Sequence, residues 1–407
     1  MTAVYVHYPY CETLCPYCDF FSSTRSEDQG FFPALIRDLE RWNHWLDEGP
    51  VRSLYFGGGT PSRMSVAGLR QVMTTVARLW GWPASPASPA EVTLEANPGD
   101  VTPALLAAWR EAGVTRISLG SQSFRDEELQ FLGRRHDAAQ ALDAARMIAD
   151  AGFASYSLDL IFGLPGQSDR DLDESLDMLA ALRPPHVSLY GLTIEEGTAF
   201  GTALAQGLFD EMKRDQWLGM YQRVCQWAQS LHYHHYEVSN FAQPGHESRH
   251  NRQYWRNRSW VGVGPAAHGQ RLTAEGLERR GNPRSVRAWR QNLEATDRPF
   301  LAGAGLRESL SADAWLREAC MIGLRDLELG IAPERWCGEF GIDDPALFAA
   351  IQAAKASGWI ERSGACRLTS KGLLVADQVA ERLLNATLGS DQLQGASVLG
   401  QVPRADV

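Results

Sequence analysis

The sequence predicts an α/β fold: a partial (β/α)6 barrel followed by a C-terminal helical, winged-helix-like domain. Three observations carry this. In the first half of the chain, short β-branched or aromatic runs alternate with longer amphipathic stretches, and strands separated by helical segments build β-α units on a parallel sheet. Six such units follow in series, which suggests an incomplete version of the eight-fold barrel. Beyond about residue 300 the alternation gives way to consecutive helices.

The candidate strands are 3–8, 51–56, 91–95, 115–119, 155–161 and 186–191. Between them lie the helical stretches 31–48, 65–80, 102–112, 137–151 and 169–182, and a sixth follows at 210–230. The Pro-rich segment Pro83–Pro89 reads as a surface connector. Further on, Ala314–Arg325, Pro333–Phe340 and Pro345–Ser357 read as helices, Gly358 to Ser370 as a hairpin, and Lys371–Leu384 as a closing helix. Helix, helix, hairpin and helix is the winged-helix pattern. The chain divides accordingly into a barrel (1–240), a connecting segment (241–300), the C-terminal domain (301–388) and a polar, disordered tail (389–407).

Composition narrows the setting. The 407 residues are 44% hydrophobic and 22% charged, enough for a large globular domain plus a small one. The formal charge of −10 argues against a nucleic-acid partner, which needs a basic face. A winged helix can serve a DNA-binding regulator, but residues 301–388 carry no clear basic stripe. No apolar run approaches about 18 residues, so no membrane span is expected. The start, Val4-Tyr5-Val6, lacks the basic and apolar regions of a signal peptide. Seven cysteines, three of them bunched, point to a cytoplasmic protein with thiolate ligation rather than disulfides. Cys225, Cys320, Cys337 and Cys366 are scattered and read as ordinary core or surface residues.

The bunched cysteines are Cys11, Cys15 and Cys18, spaced C-x3-C-x2-C in the loop after the first strand. Three thiolates are one short of the usual shell of an iron–sulfur cube, which leaves one iron open to a small molecule. The alternative metal is zinc, which wants four ligands in a closed site, and only His7 is near as a fourth. In parallel α/β folds ligands sit at the carboxyl ends of strands. Other polar or flexible residues fall there too. Gly57-Gly58-Gly59-Thr60 follows the second strand, Glu95 ends the third, Gln122 lies past the fourth and Asp159 is near the end of the fifth. A glycine triplet lets backbone amides approach a polar ligand, or it simply makes a tight turn.

The cysteine spacing resembles the signature of the radical S-adenosylmethionine (SAM) superfamily. The likeness extends through Leu94-Glu-Ala-Asn-Pro-Gly99, Ser118-Leu-Gly-Ser-Gln-Ser-Phe124, Leu132-Gly-Arg134 and Asp159-Leu-Ile-Phe-Gly-Leu-Pro-Gly-Gln167. These look like the branch that holds the oxygen-independent coproporphyrinogen dehydrogenases and the HemW-type haem chaperones. The resemblance implies a [4Fe–4S] cluster on Cys11, Cys15 and Cys18 with SAM on the open iron. It implies a SAM site lined by Tyr5, Phe20, Gly58, Gly59, Thr60, Glu95, Gln122, Arg134 and Asp159. Carboxylates such as Glu95 or Asp159 suit the cationic or ribose end of SAM, and Arg134 suits its carboxylate.

Three features place the chain on the chaperone side of that branch. Phe20 stands where the dehydrogenases carry a fourth cysteine. Cys11 lies almost at the N-terminus, where the dehydrogenases have a long preceding segment. His250-Asn-Arg-Gln-Tyr254-Trp255 resembles an element associated with haem in HemW-type sequences. An imidazole can ligate haem iron, and a flanking Tyr and Trp offer flat apolar surface. His232, His234 and His235 read as edge or surface residues. The resemblance implies a haem chaperone acting on haem-accepting proteins such as respiratory enzymes. A flavodoxin or ferredoxin would serve as electron donor, and the protein would be a homodimer. The alternative is oxidative decarboxylation of coproporphyrinogen III in porphyrin biosynthesis. No residue is assigned a catalytic role.

Overall fold

The computed structural model describes residues 2–386 apart from 44, 46–48, 86–88 and 296–304. The tail expected at 389–407 lies outside the described residues. Six parallel strands form the barrel wall: β1 (Thr2–Tyr8), β2 (Val51–Gly58), β3 (Glu91–Ala96), β4 (Arg116–Gln122), β5 (Ser155–Phe162) and β6 (His186–Gly191). Each pairs with the next in parallel register, as in Val4 opposite Leu54 and Asp159 opposite Ser188. The intervening helices are α1 (Phe31–Trp42), α2 (Val66–Trp80), α3 (Pro103–Glu111), α4 (Asp126–Phe131), α5 (Ala138–Asp150), α6 (Asp169–Leu182), α7 (Ala199–Ala205) and α8 (Arg214–Ser230). Their starts follow the sequence. Asp137 with Gln140 and Ser168 with Asp171 form capping boxes at α5 and α6, and Thr102 caps α3 ahead of Pro103.

Two helices, α4 and α7, were not expected. Both are too short, at 6 and 7 residues, to show a helical period. Helix α1 is Phe31–Trp42; of the expected stretch 31–48, residues 44 and 46–48 lie outside the described residues.

The strands show why the barrel can hold a polar ligand. Alternate residues such as Val4, Val6, Leu54, Phe56, Leu94, Ile117, Leu158 and Val187 are fully or nearly fully buried in the core shared with the helices. The residues between them carry polar groups: Tyr5, His7, Ser53, Tyr55, Thr93, Glu95, Arg116, Ser118, Ser157, Asp159, His186 and Ser188. Strand alternation puts this second set on the other face, which lines the lumen. The outer face is therefore an ordinary apolar layer, while the interior is lined by hydroxyls, imidazoles and charges.

The sheet does not stop at six strands. Its full order is β12-β11-β10-β9-β1-β2-β3-β4-β5-β6-β8-β7. Beyond β6 lie β8 (Asn240–Ala242) and β7 (His234–Glu237), both antiparallel. Beyond β1 lies β9 (Trp260–Val263), parallel to it, then β10 (His268–Thr273), β11 (Gly276–Gly281) and β12 (Arg307–Ser311) in antiparallel order. The segment expected to connect two domains thus contributes the strands β9, β10 and β11 to the sheet, β12 comes from the expected C-terminal part, and the segment's helices are α9 (Arg249–Trp255) and α10 (Val286–Ala295). Strands of 3 and 4 residues, the second interrupted by Gly262 and followed by Gly264, carry too little pattern to be read as strands.

The C-terminal part holds α11 (Ala312–Gly323), α12 (Pro333–Phe340), α13 (Pro345–Ala356), α14 (Ser370–Leu373) and α15 (Ala376–Asn385). The closing helix expected at 371–384 is therefore two helices, and the hairpin before it reduces to the isolated bridge Ile360–Leu368, while Cys366 bridges back to Ile331 ahead of α12. Leu316, Cys320, Ile351, Ile360 and Leu383 form a second core that also takes in Leu277 of β11. Cys320, Cys337 and Cys366 are buried in this core, as ordinary apolar residues. Among the described residues no helix is long and apolar enough to cross a membrane.

Candidate functional site

The cysteine loop is closed at its base by backbone. Cys11 N donates to Ser23 O at 2.9 Å and Ser23 N to Pro9 O at 2.7 Å. His7 adds a side-chain tie. One ring nitrogen meets the Phe21 carbonyl at 2.7 Å and the other the Tyr5 hydroxyl at 3.1 Å. Burial holds this imidazole down to about 4, so it is neutral. With both nitrogens engaged, His7 is not available as the fourth ligand a zinc site would need. Cys11, Cys15 and Cys18 are each half-buried. Burial raises the Cys11 thiol and pushes Cys18 up to about 12, so each would lose a proton on taking a metal.

Loops from later strands converge on the sulfurs. Gly59 N donates to Tyr8 O at 2.7 Å and Thr60 N to Tyr10 O at 3.1 Å, which lays the glycine segment along the cysteine loop. Thr60 Oγ1 then reaches Cys11 Sγ at 3.4 Å. Gly57 and Gly58 belong to β2 itself, two residues beyond the expected strand end. Gly58 has φ +108°, and a Cβ there would stand 2.6 Å from the His7 ring. Glycine is required by both conformation and space.

Arg134 reaches the cysteine loop. Its Nη1 donates to Cys15 Sγ at 3.2 Å and its Nη2 to Gly120 O at 3.0 Å. The guanidinium is a sulfur donor here, with its buried Nε left without a hydrogen-bond partner among the described residues. Gly133 makes this reach possible: it has φ +65°, and a Cβ would stand 2.7 Å from Pro16.

The remaining SAM candidates line the lumen mouth. Glu95 Oε1 accepts from the Tyr55 hydroxyl at 2.8 Å. Tyr5 stacks on Tyr55 with ring centroids 6.2 Å apart. Gln122 sits at φ +65° where the β4–β5 register slips, which turns the strand end. Asp159 accepts from Ser118 at 2.7 Å and Ser157 at 2.6 Å. Burial raises its carboxyl, against the serine donors and the Arg116 charge. Phe20 is half-buried in the cysteine loop. The structure therefore places Gly58, Gly59, Thr60, Glu95, Gln122 and Arg134 at or beyond the loop ends of β2 to β4, with Tyr5 and Asp159 mid-strand on the lumen face of β1 and β5.

The His250 element lies elsewhere, on α9 against the N-terminal ends of β2 and β3. His250 N donates to Glu91 Oε1 at 3.0 Å. Its ring bonds Ser53 Oγ at 3.0 Å and the Tyr254 hydroxyl at 2.8 Å, and stacks on Tyr55 at 5.1 Å. His250 is 1% exposed, Tyr254 9% and Trp255 6%. Burial and the Arg116 charge pull the His250 imidazole down to about 3. In this conformation neither ring nitrogen is free for an iron. His234 and His235 lie on β7 at the sheet edge, His234 paired with Glu247 at 3.2 Å.

Several site residues escaped sequence reading. Arg135 bridges Glu12 at 2.7 Å and Asp100 at 3.1 Å, tying the cysteine loop to the turn after β3. His136 meets Ser121 O at 3.0 Å under the turn that carries Gln122. Their signal was only adjacency to Arg134.

The chemistry of the donors fits an iron–sulfur cube. Three thiols share one loop, two of them already accept hydrogen bonds from Arg134 and Thr60, and such bonds tune clusters. Residues 5–179 match the model described as the Radical SAM superfamily. Over 384 residues the chain is 31% identical to "Heme chaperone HemW" of Bacillus subtilis (93% of this chain, 98% of the relative). It is 35% identical over 387 residues to the protein of that name from Mycobacterium tuberculosis H37Rv (94% of each). Among solved structures, "Coproporphyrinogen III oxidase (HemN) from Escherichia coli" superposes with a TM-score of 0.76 at 19% identity, covering 94% of this chain and 89% of that one, which shows a shared fold. The chain belongs to the radical SAM superfamily and, within it, to the HemW family. That membership implies a [4Fe–4S] cluster and SAM.

Proposed function

We propose that this protein is a haem chaperone: it binds haem and passes it to haem-accepting proteins, with a [4Fe–4S] cluster on Cys11, Cys15 and Cys18 and SAM in the lumen mouth. The observation that supports this most is 31–35% identity over 93–94% of the chain to relatives named haem chaperones, with the three-thiol loop intact and Phe20 where a fourth cysteine would extend it. When bound, the cluster supplies an open iron for SAM and a redox centre, reduced by a donor such as a flavodoxin or ferredoxin. The chain's own residues orient these groups. Arg134 and Thr60 donate to sulfur, Gly58 and Gly59 open the backbone to the methionine end of SAM, and Glu95, Gln122 and Asp159 offer polar contacts around the mouth. Tyr5 and Phe20 border it.

Haem at the His250-Tyr254-Trp255 element is part of the proposal and demands movement. Helix α9 must shift so that His250 leaves Ser53 and Tyr254, and Trp255 becomes accessible. Respiratory haem enzymes in the cytoplasm's reach are the proposed acceptors, and the chaperone is proposed to work as a homodimer.

The test is anaerobic reconstitution followed by haem titration in the visible spectrum. The expected result is a stoichiometric haem band, transfer of haem to an acceptor, and no conversion of coproporphyrinogen III with SAM and reductant present. The band should weaken or shift in His250→Ala. Multiple turnovers of coproporphyrinogen III would overturn the reading in favour of the dehydrogenase. An unchanged band in His250→Ala would move the haem site while leaving the chaperone reading standing.

A further inference from the structure

Inside the barrel a chain of side chains runs from the N-cap of α9 to Asp159. Ser248 N donates to the Tyr236 hydroxyl at 3.2 Å. That hydroxyl lies 2.8 Å from His186 Nε2, and His186 Nδ1 lies 2.8 Å from Ser157 Oγ. Ser157 Oγ lies 2.6 Å from Asp159 Oδ1. Ser157, His186, Tyr236 and Ser248 are each 0% exposed, whereas Asp159 at the end is partly open to the lumen.

Proton counting gives the chain one direction. An ionised Asp159 can only accept, so Ser157 spends its single proton on the carboxylate. His186 Nδ1 must then be the donor to Ser157. Burial and the Arg116 charge hold His186 well below its ordinary value of 6.5, so the ring carries one proton and Nε2 is bare. Nε2 therefore accepts from Tyr236, whose oxygen accepts in turn from Ser248 N. Every donor points toward Asp159. Ser118 donates to the other carboxylate oxygen at 2.7 Å, and the Ser188 hydroxyl, 3.1 Å from Ser157 Oγ, also acts on the carboxylate. Apolar residues would fill these fully buried positions at lower desolvation cost.

We infer that Ser248, Tyr236, His186 and Ser157 form a one-way hydrogen-bond relay that holds the Asp159 carboxylate in position for SAM. His186 and Tyr236 are thus positioning residues for a ligand they do not touch. The relay starts on the helix that carries His250, so a shift of α9 would be felt at Asp159. This rests on the SAM site proposed above.

The experiment uses the full-length reconstituted protein with two readouts. The first is the nitrogen resonances of His186 in histidine-labelled protein. The second is the SAM concentration that half-saturates the change in the paramagnetic spectrum of the reduced cluster. The relay requires the Nδ1–H tautomer at His186. Ser157→Ala and His186→Gln should each raise the half-saturating SAM roughly tenfold at unchanged iron content. His186→Asn keeps an N–H donor near the Nδ1 position and should stay within about threefold of wild type, whereas the Gln amide reaches the Nε2 position instead. Tyr236→Phe should weaken SAM by a smaller factor. An Nε2–H tautomer, equal SAM affinity in the Asn and Gln variants, or wild-type affinity in Ser157→Ala would overturn the relay. A wild-type protein with the Nδ1–H tautomer but no SAM effect would overturn the proposed SAM site and, with it, the relay's task. The tautomer distinguishes this from a relay that is itself misread.

Discussion

At the scale of single residues, the site depends on contacts that tolerate no added atom. A Cβ at Gly58 would press the His7 ring, which is pinned between Tyr5 and the Phe21 carbonyl. Gly58→Ala should therefore lower stability by about 1–3 kcal/mol and loosen the cysteine loop. Denaturant unfolding and the iron content after reconstitution check this, and a variant matching wild type in both would mean the loop yields. Arg134 carries a different expectation. Its donation to Cys15 favours electron density on sulfur, so Arg134→Met should lower the cluster's reduction potential and cost roughly tenfold in cluster retention. Potentiometric titration reads the first and chelator challenge the second. The potential would stay unchanged if Arg134 served SAM alone.

Among the elements, the junction of α1, α10 and the turn between β9 and β10 hangs on one carboxylate. Asp38 Oδ2 accepts from Gly264 N at 2.9 Å, Asn282 Nδ2 at 2.7 Å and Trp289 Nε1 at 2.9 Å, while the residue is 1% exposed. Asp38→Ala strands three buried donors and should cost about 2–3 kcal/mol or more. Asp38→Asn can keep an oxygen in the same place and should cost less. Burial pushes Asp38 up to about 6 from its ordinary 3.8, against those three donors. Because the folded value is raised, the native state holds its proton through the window between these values, and the contribution falls as pH rises through it. The stability of Asp38→Asn relative to wild type should therefore improve from pH 4 to pH 6.5. Urea midpoints at the two pH values test the sign.

The whole molecule carries an opposing and larger pH term. Burial holds His7, His136, His235 and His268 down to about 4, His250 to about 3 and His186 well below its ordinary 6.5. For a depressed histidine the unfolded chain binds protons first, so stability is present above 6.5 and is lost as pH falls toward the folded values. For the five with folded values near 3 or 4 the loss by pH 5 is on the order of 2 kcal/mol each. Six such groups outweigh Asp38, so the thermal midpoint should drop by several degrees between pH 7 and pH 5. A flat or rising midpoint over that range would mean that the histidines are hydrated rather than buried.

The local patterns of this chain were enough for much of its architecture. Strand runs, helix periods and caps such as Asp137 with Gln140 placed the six β-α units, because those signals depend on neighbours within a few residues. The cysteine spacing and the polar residues near strand ends marked the three-thiol loop and the polar lumen positions for the same reason. What the sequence could not show is decided over long separations. Arg134 meets Cys15 across 119 positions, and His186 meets Tyr236 across 50. Strand β9 joins β1 from the far side of the chain, and His250 turns out to be packed on Ser53, 197 positions away. Such partners are chosen by packing and by the need of buried polar groups for hydrogen bonds, and neither leaves a period in the sequence. Residue types and spacing determined which chemistry this chain can hold; the folded barrel decided which groups face each other to hold it.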